Sequence, residues 1–193
     1  MRVLMIYCHP RPDSFCAALR DAARASLETA GHEVELRDLY AEGFNPALST
    51  EERGRYHSVT DNLAGVETHV RSLQQADALL LVHPTWWYGM PAMLKGWFDR
   101  VWAPGVAFQL GEGAITPLLT NISRIGVITT YGSPRWLLWY IGHPDRKLVN
   151  RGIRRLCAKN CRTDWYTLTR MDQRTQPERE AFLARIGREM TRW

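Results

Sequence analysis

The sequence predicts a doubly wound α/β fold, and three observations carry that prediction. Short apolar runs rich in Val, Ile and Leu recur near residues 2–8, 78–82 and 125–130 and read as central strands. Between them lie longer segments whose apolar residues repeat at helical spacing. The two patterns alternate as β-α-β-(loop)-α-β-α-(loop)-β-α-β-α, which implies a parallel sheet with helices on both faces. Right-handed crossovers favour the strand order 2-1-3-4-5.

Each element has its own signal. Arg2 to Cys8 reads as the first strand, and His9 to Asp13, with two prolines, as a loop. Asp13 or Ser14 suits a helix N-cap. Phe15, Ala18, Leu19, Ala22, Ala23 and Leu27 form an apolar stripe that ends at Gly31, a C′ glycine. Val34 and Leu36 alternate with charged residues in a second strand. Leu39 to Asn62 is polar and irregular, with a short helix start at Ser49-Thr50-Glu51-Glu52. Val66 to Gln75 reads as a helix and Ala78 to Val82 as a third strand, which Pro84 ends. Pro91 suits a first helical turn, followed by the buried stripe Met93, Leu94, Trp97, Phe98, Val101 and Trp102. Residues 103–123 are expected to be a long loop, and loops of that length are usually functional. Ile125 to Thr130 is a fourth strand, Asp145 to Lys159 a basic helix, Thr163 to Leu168 a fifth strand and Pro177 to Arg192 a closing helix.

Composition narrows the class. The 193 residues suit one domain, 1–193, with a full core. Apolar residues make up 45% and charged residues 23%, as in a soluble globular protein. No run approaches the roughly 18 apolar residues of a membrane span, so no membrane insertion is expected. The N-terminal apolar run is too short for a secretory signal. The four cysteines, Cys8, Cys16, Cys157 and Cys161, lack a zinc-site pattern and are expected as reduced thiols in a cytoplasmic protein. The net charge of +5 is concentrated around Arg146, Lys147, Arg151, Arg154, Arg155, Lys159 and Arg162. This reads as a solvated helix face that also attracts an anionic cofactor, rather than as a nucleic-acid surface.

In the expected topology the carboxyl ends of strands one, three and four come together, where open α/β sheets bind ligands. Those ends carry His9 to Cys16, Thr85 to Gly89 and Thr130 to Ser133. The first loop opens a helix whose unpaired amides and dipole suit a phosphate, with Ser14 and His9 as further donors. The second, Trp86-Trp87-Tyr88, suits a flat aromatic cofactor held by backbone groups and ring faces. Core or interface packing is the competing reading of those rings. The third loop, with Thr130 and Gly132, closes the other side.

Together, His9-Pro10-x-x-x-Ser14-Phe15, the long run from Pro84 to Val101, and Thr129-Thr130-Tyr131-Gly132-Ser133 resemble the flavodoxin-like NAD(P)H:quinone oxidoreductase (DT-diaphorase) family over nearly the whole chain. The resemblance implies a flavin-dependent two-electron reductase. NAD(P)H is its reductant, a quinone or related compound its acceptor, and the scheme is ping-pong. It assigns His9, Ser14, Phe15 and Cys16 to the flavin phosphates. It places Thr85, Trp86, Trp87 and Tyr88 along the isoalloxazine, and Thr130, Tyr131 and Gly132 on its pyrimidine side. Ala107 and Phe108 match an acceptor-pocket segment contributed across a homodimer. His143 matches a histidine that handles charge or protons, a task suited to an imidazole; the turn Gly142-His143-Pro144-Asp145 also fits a merely exposed side chain.

Two departures stand out. Tyr131 occupies a position where many members carry glycine, and Leu137 lies near the position of a tyrosine that partners the histidine. FAD is favoured over FMN, because the first loop is of the type that holds a pyrophosphate in that family. An alternative implied by some relatives is a flavin-binding ancillary subunit of a potassium efflux system, docked through Trp136 to Tyr140.

Overall fold

The computed structural model describes residues 1–193 except Glu112 and Ala114. Its main sheet contains β1 (Arg2–Tyr7), β2 (Glu33–Asp38) and β3 (Ala78–Pro84). A short antiparallel hairpin of β4 (Phe108–Leu110) and β5 (Ile115–Pro117) stands apart, and β6 (Arg124–Thr130) and β7 (Arg162–Leu168) complete the sheet. All neighbours in that sheet are parallel, in the order β2-β1-β3-β6-β7. Renumbered within the sheet this is 2-1-3-4-5, as the element pattern predicts.

The helices are α1 (Phe15–Thr29), α2 (Thr50–Arg55), α3 (Glu67–Gln75), α4 (Ala92–Val101), α5 (Arg135–Ile141), α6 (Pro144–Lys147) and α7 (Gln176–Thr191). Strand side chains alternate between the two faces, as the pleat requires. Leu4, Ile6, Leu79, Leu81, Ile125 and Val127 pack with Val70 and Leu73 of α3 and Leu94, Trp97 and Val101 of α4. Val3, Met5, Leu80, Val82 and Ile128 pack with Leu19, Ala23 and Leu27 of α1 and Phe182, Ile186 and Met190 of α7. Each fully buried aliphatic side chain contributes roughly 2 kcal/mol of transfer free energy.

Local chemistry sets the helix ends. The Ser14 hydroxyl accepts from the Ala17 amide and caps α1. Gly31, at φ 82°, closes α1, with the His32 amide reaching back to the Leu27 carbonyl. Ser49 and Glu52 form a reciprocal capping box at α2, as Thr175 and Glu178 do at α7.

Beyond one-residue shifts at element ends, three segments differ from the sequence expectation. β3 runs two residues further, through His83 and Pro84, because Pro84 sits at the strand's last position, where a ladder donor is dispensable. Residues 103–123 are not a featureless loop, since they contain the β4–β5 hairpin. The basic segment 145–159 is not one helix. α6 gives way to a π-helical turn, Leu148–Gly152, and then a 3₁₀ turn, Ile153–Leu156. Gly152 lowers helix propensity there, and Arg151, Arg154 and Arg155 repel one another at helical spacing.

The segment before α3 is anchored on α4. Arg100 donates to the Asn45 carbonyl at 2.6 Å and pairs with Glu52. Gly96 lies so close to Pro46 that an added Cβ would fall 2.2 Å from the Pro46 carbonyl oxygen. Backbone cannot yield as a flexible side chain does, so Gly96→Ala is expected to destabilise the fold by about 3 kcal/mol, measured by urea denaturation.

His69 is buried beneath this segment. Its Nδ1 accepts from Trp97 Nε1 at 3.3 Å, which leaves Nε2 to face Glu42 at 3.3 Å. Burial, reinforced by Arg37 and Arg100, lowers its pKa to about 4, so the imidazole is neutral at pH 7. The unfolded chain takes up this proton near pH 6.5, whereas the folded chain resists it. This contribution to stability is full above pH 6.5 and is lost as pH falls toward 4. His69→Gln keeps an acceptor and a donor without a titrating group. Its melting temperature should fall less than the wild type's between pH 6.5 and 4.

Candidate active site

The carboxyl edge is assembled by direct contacts between the three predicted loops. The Thr85 amide donates to the Thr130 carbonyl at 2.8 Å, and the Thr85 and Thr129 hydroxyls meet at 2.8 Å. The Ser133 hydroxyl donates to the Tyr88 phenol oxygen at 3.2 Å. The Cys16 thiol lies 3.9 Å from the Thr130 hydroxyl, and the His9 and Trp86 rings are 6.3 Å apart. First, second and third loops therefore meet at one carboxyl edge.

The second loop is a tight hairpin. The Trp86 amide donates to the Gly89 carbonyl at 3.2 Å, and the Gly89 amide returns to the Trp86 carbonyl at 3.1 Å. Trp87 and Tyr88 occupy the two central positions at φ 52° and 61°. Two positive-φ residues in succession define a type I′ turn, which ordinarily carries Asn-Gly. Placing Trp and Tyr there costs about 1–2 kcal/mol per residue, a strain that surrounding contacts must hold and that clusters at functional sites. Gly89 is not the strained residue: its φ is not positive, and an added Cβ would meet nothing nearer than 3.9 Å. The turn leaves the Trp87 and Tyr88 amides without a protein acceptor among the described residues.

The first loop offers similar donors. The Phe15 and Cys16 amides open α1 and are unpaired among the described residues. His9 Nδ1 lies 3.0 Å from the Arg11 amide and 3.2 Å from the Arg11 carbonyl, so its local contacts occupy Nδ1 and not Nε2. Asp13 is matched by Arg11 through bonds of 3.0 and 2.7 Å, so its carboxylate opposes an anion only weakly. In the third loop the Gly132 amide has no acceptor among the described residues.

Some predicted contacts are taken up by the fold itself. The Thr85 amide and hydroxyl and the Trp86 amide hold the loop together, so of the second loop's amides those of Trp87 and Tyr88 remain for a ligand. The Cys16 side chain is buried in the core against α7, and burial pushes its thiol up to about 12. Only its amide suits an anion. Tyr131 does not lie flat along the edge. Its amide donates to the Leu168 carbonyl and its buried phenol donates to Asp145. Burial, then the Asp145 carboxylate, raises the pKa of that phenol. Ala107 is fully buried in the core against α4, while Phe108 is half-buried at the start of β4. His143, at φ 50° before α6, lines a separate concavity beyond Tyr131 and is not among the three-loop contacts.

Two features escaped the sequence reading. Asp145 is 3% exposed and accepts from both Tyr131 and the Arg146 amide. His83 is fully buried beside it: Nδ1 donates to the Pro84 carbonyl at 3.0 Å, Nε2 has no partner among the described residues, and burial lowers its pKa. Asp145 lies 62 residues from His83 in sequence, and neither stands in a motif that pairs them.

A five-stranded parallel sheet in the order 2-1-3-4-5 with helices on both faces defines a doubly wound α/β protein. A family described by its flavodoxin-like fold matches residues 1–188. An NAD(P)H oxidoreductase of uncharacterised role from Escherichia coli, YcaK, is 36% identical over 118 residues, covering 60% of this chain and 59% of that one. NAD(P)H dehydrogenase [quinone] 1 of Rattus norvegicus is 30% identical over 177 residues, covering 81% and 65%. The matches thus span less than two thirds of either relative's length. The solved NAD(P)H:quinone oxidoreductase from Methanothermobacter marburgensis superposes with a TM-score of 0.83 at 29% identity, covering 99% of this chain and 98% of that one. The chain belongs to the flavodoxin-like family.

Trp87 is 97% exposed, so removing its ring costs little packing. Trp87→Gly should stabilise the protein by about 1 kcal/mol in urea titrations by relieving one left-handed residue. Trp87→Phe retains the strain and should leave stability unchanged.

Proposed function

We propose that this chain is a flavin-dependent NAD(P)H oxidoreductase that reduces quinones or related acceptors by two electrons. The carrying observation is the donor set at this edge: the amides of Phe15, Cys16, Trp87 and Tyr88 have no acceptor among the described residues, and their two loops lie side by side. This donor set fits a flavin, which needs an anion site at one end and neutral hydrogen-bond donors along a flat ring at the other. The names of the relatives support the same chemistry.

In this reading the α1 amides, the Ser14 hydroxyl and His9 Nε2 hold phosphate, using the helix dipole. The Trp87 and Tyr88 amides would serve the ring's polar edge, Trp86 would flank it, and the Gly132 amide would be the third loop's donor. A bound flavin supplies hydride transfer, so that NAD(P)H, a proton and a quinone become NAD(P)+ and a hydroquinone. The chain's residues exclude water and position the reactants. His143, which lines the separate concavity beyond Tyr131, is the residue we propose to deliver the proton. FAD is the proposed flavin, since a pyrophosphate makes fuller use of the first-loop donors.

A homodimer is also proposed. An apolar concavity of about 680 Å³ lies between α4, β5 and the π turn, lined by Phe98, Trp102, Ile115, Pro117, Leu148 and Ile153. A second copy would cover it and bring Phe108, rather than the enclosed Ala107, toward the neighbouring carboxyl edge. The protein should purify yellow, release FAD on denaturation as identified by chromatography, and oxidise NAD(P)H when a quinone is supplied. A protein that stays colourless after incubation with FAD and with FMN rules the reading out.

A further inference from the structure

A second concavity, of about 720 Å³, opens beside the candidate active site at the carboxyl end of the edge strand β7. Tyr131 and His143 form the wall nearest the third loop, and Thr167 and Thr169 form its floor. Its size suits a nucleotide-sized ligand.

Its chemistry is specific. Arg135 comes from α5, Arg146 from α6 and Arg185 from α7, and all three line the same space. None of these guanidiniums has an ion pair or side-chain hydrogen bond among the described residues. A fourth, Arg174, is already fixed by the Thr169 carbonyl at 3.0 Å and Glu178 at 2.6 Å. Three exposed cations from three separate elements thus border one cavity. Trp136 and Trp139, 65% and 77% exposed, add ring faces to the same wall. Unmatched guanidiniums beside open aromatic faces suit an aromatic ligand carrying phosphate.

We propose that this cavity takes the adenosine end of the reductant and selects NADPH over NADH through the 2′-phosphate. The proposal rests on the reading that a pyridine nucleotide is the reductant. The cavity's place beside the third loop then lets the nicotinamide end extend toward the carboxyl edge. Arg146 and Arg185 clamp the phosphate, and a tryptophan face stacks on the adenine.

The test uses flavin-loaded protein and two probes, adenosine 2′,5′-bisphosphate and 5′-AMP, with binding followed by calorimetry. The bisphosphate should bind at least about tenfold tighter than 5′-AMP, as expected for charge-assisted contacts to one extra phosphate. The double variant Arg146→Ala/Arg185→Ala should lose that margin with its flavin content unchanged, and its kcat/KM preference for NADPH should fall in parallel. Arg188→Ala, an exposed charge removal elsewhere on α7, should keep the margin. Equal binding of the two probes by the wild type, or a margin that survives the double variant, overturns the proposal. Loss of FAD but not FMN from the double variant also overturns it, because the cavity would then hold the flavin's own adenylate. Selective bisphosphate binding by a protein that takes up no flavin supports the cavity while defeating the oxidoreductase reading.

Discussion

β3 and β6 run side by side in parallel register until Pro84 faces Thr130, and the carboxyl edge depends on that pairing. One residue later the Thr85 amide reaches the Thr130 carbonyl, so the ladder continues into the loops and fixes their relative height. The Thr85 and Thr129 hydroxyls tie the same junction from the side chains. A shift of one residue here would reverse every side chain on β3 and separate Tyr88 from Ser133. Both faces of β3 are apolar, so it is the Thr85 ties to Thr129 and Thr130 that oppose such a shift.

That rigidity allows the aromatic turn to exist. Trp-Tyr at the centre of a type I′ turn is unfavourable as a local choice. It persists because the turn's ends are pinned by β3 and α4, and because the Tyr88 phenol is held by Ser133. The strain leaves two adjacent backbone donors without internal acceptors. A relaxed turn of more ordinary sequence would be cheaper to fold, but the same pair of amides need not point together.

The third loop is held differently. Where a glycine would leave open space, Tyr131 turns inward and delivers its hydroxyl to Asp145. A buried carboxylate is costly unless hydrogen-bonded, and Tyr131 and the Arg146 amide supply its partners. The pair joins the end of β6 to the start of α6 and so places His143 and Arg146 beside the edge cavity. Tyr131, which departs from the glycine many members of the resembled family carry, is in the structure a strut between two elements.

The sequence by itself determined the sheet order, the helix that opens after Ser14, and the three loops of the carboxyl edge. These follow from short-range patterns: buried strands are continuous apolar runs, helices repeat at 3.6 residues, and caps and prolines mark the ends. The β4–β5 hairpin escaped because its strands are three residues long, with too few residues to show a period. The broken basic helix escaped because its periodicity is intact, although Gly152 and the neighbouring arginine charges weaken the helix there. Only the tertiary structure decided which donors remain free. Whether the amide of Thr85, Trp86, Trp87 or Tyr88 faces a ligand depends on the partner the fold brings to each, and Thr130 is 45 residues from Thr85. The same holds for the arginines, which are scattered over 50 residues of sequence and gather only because α5, α6 and α7 surround the edge of β7.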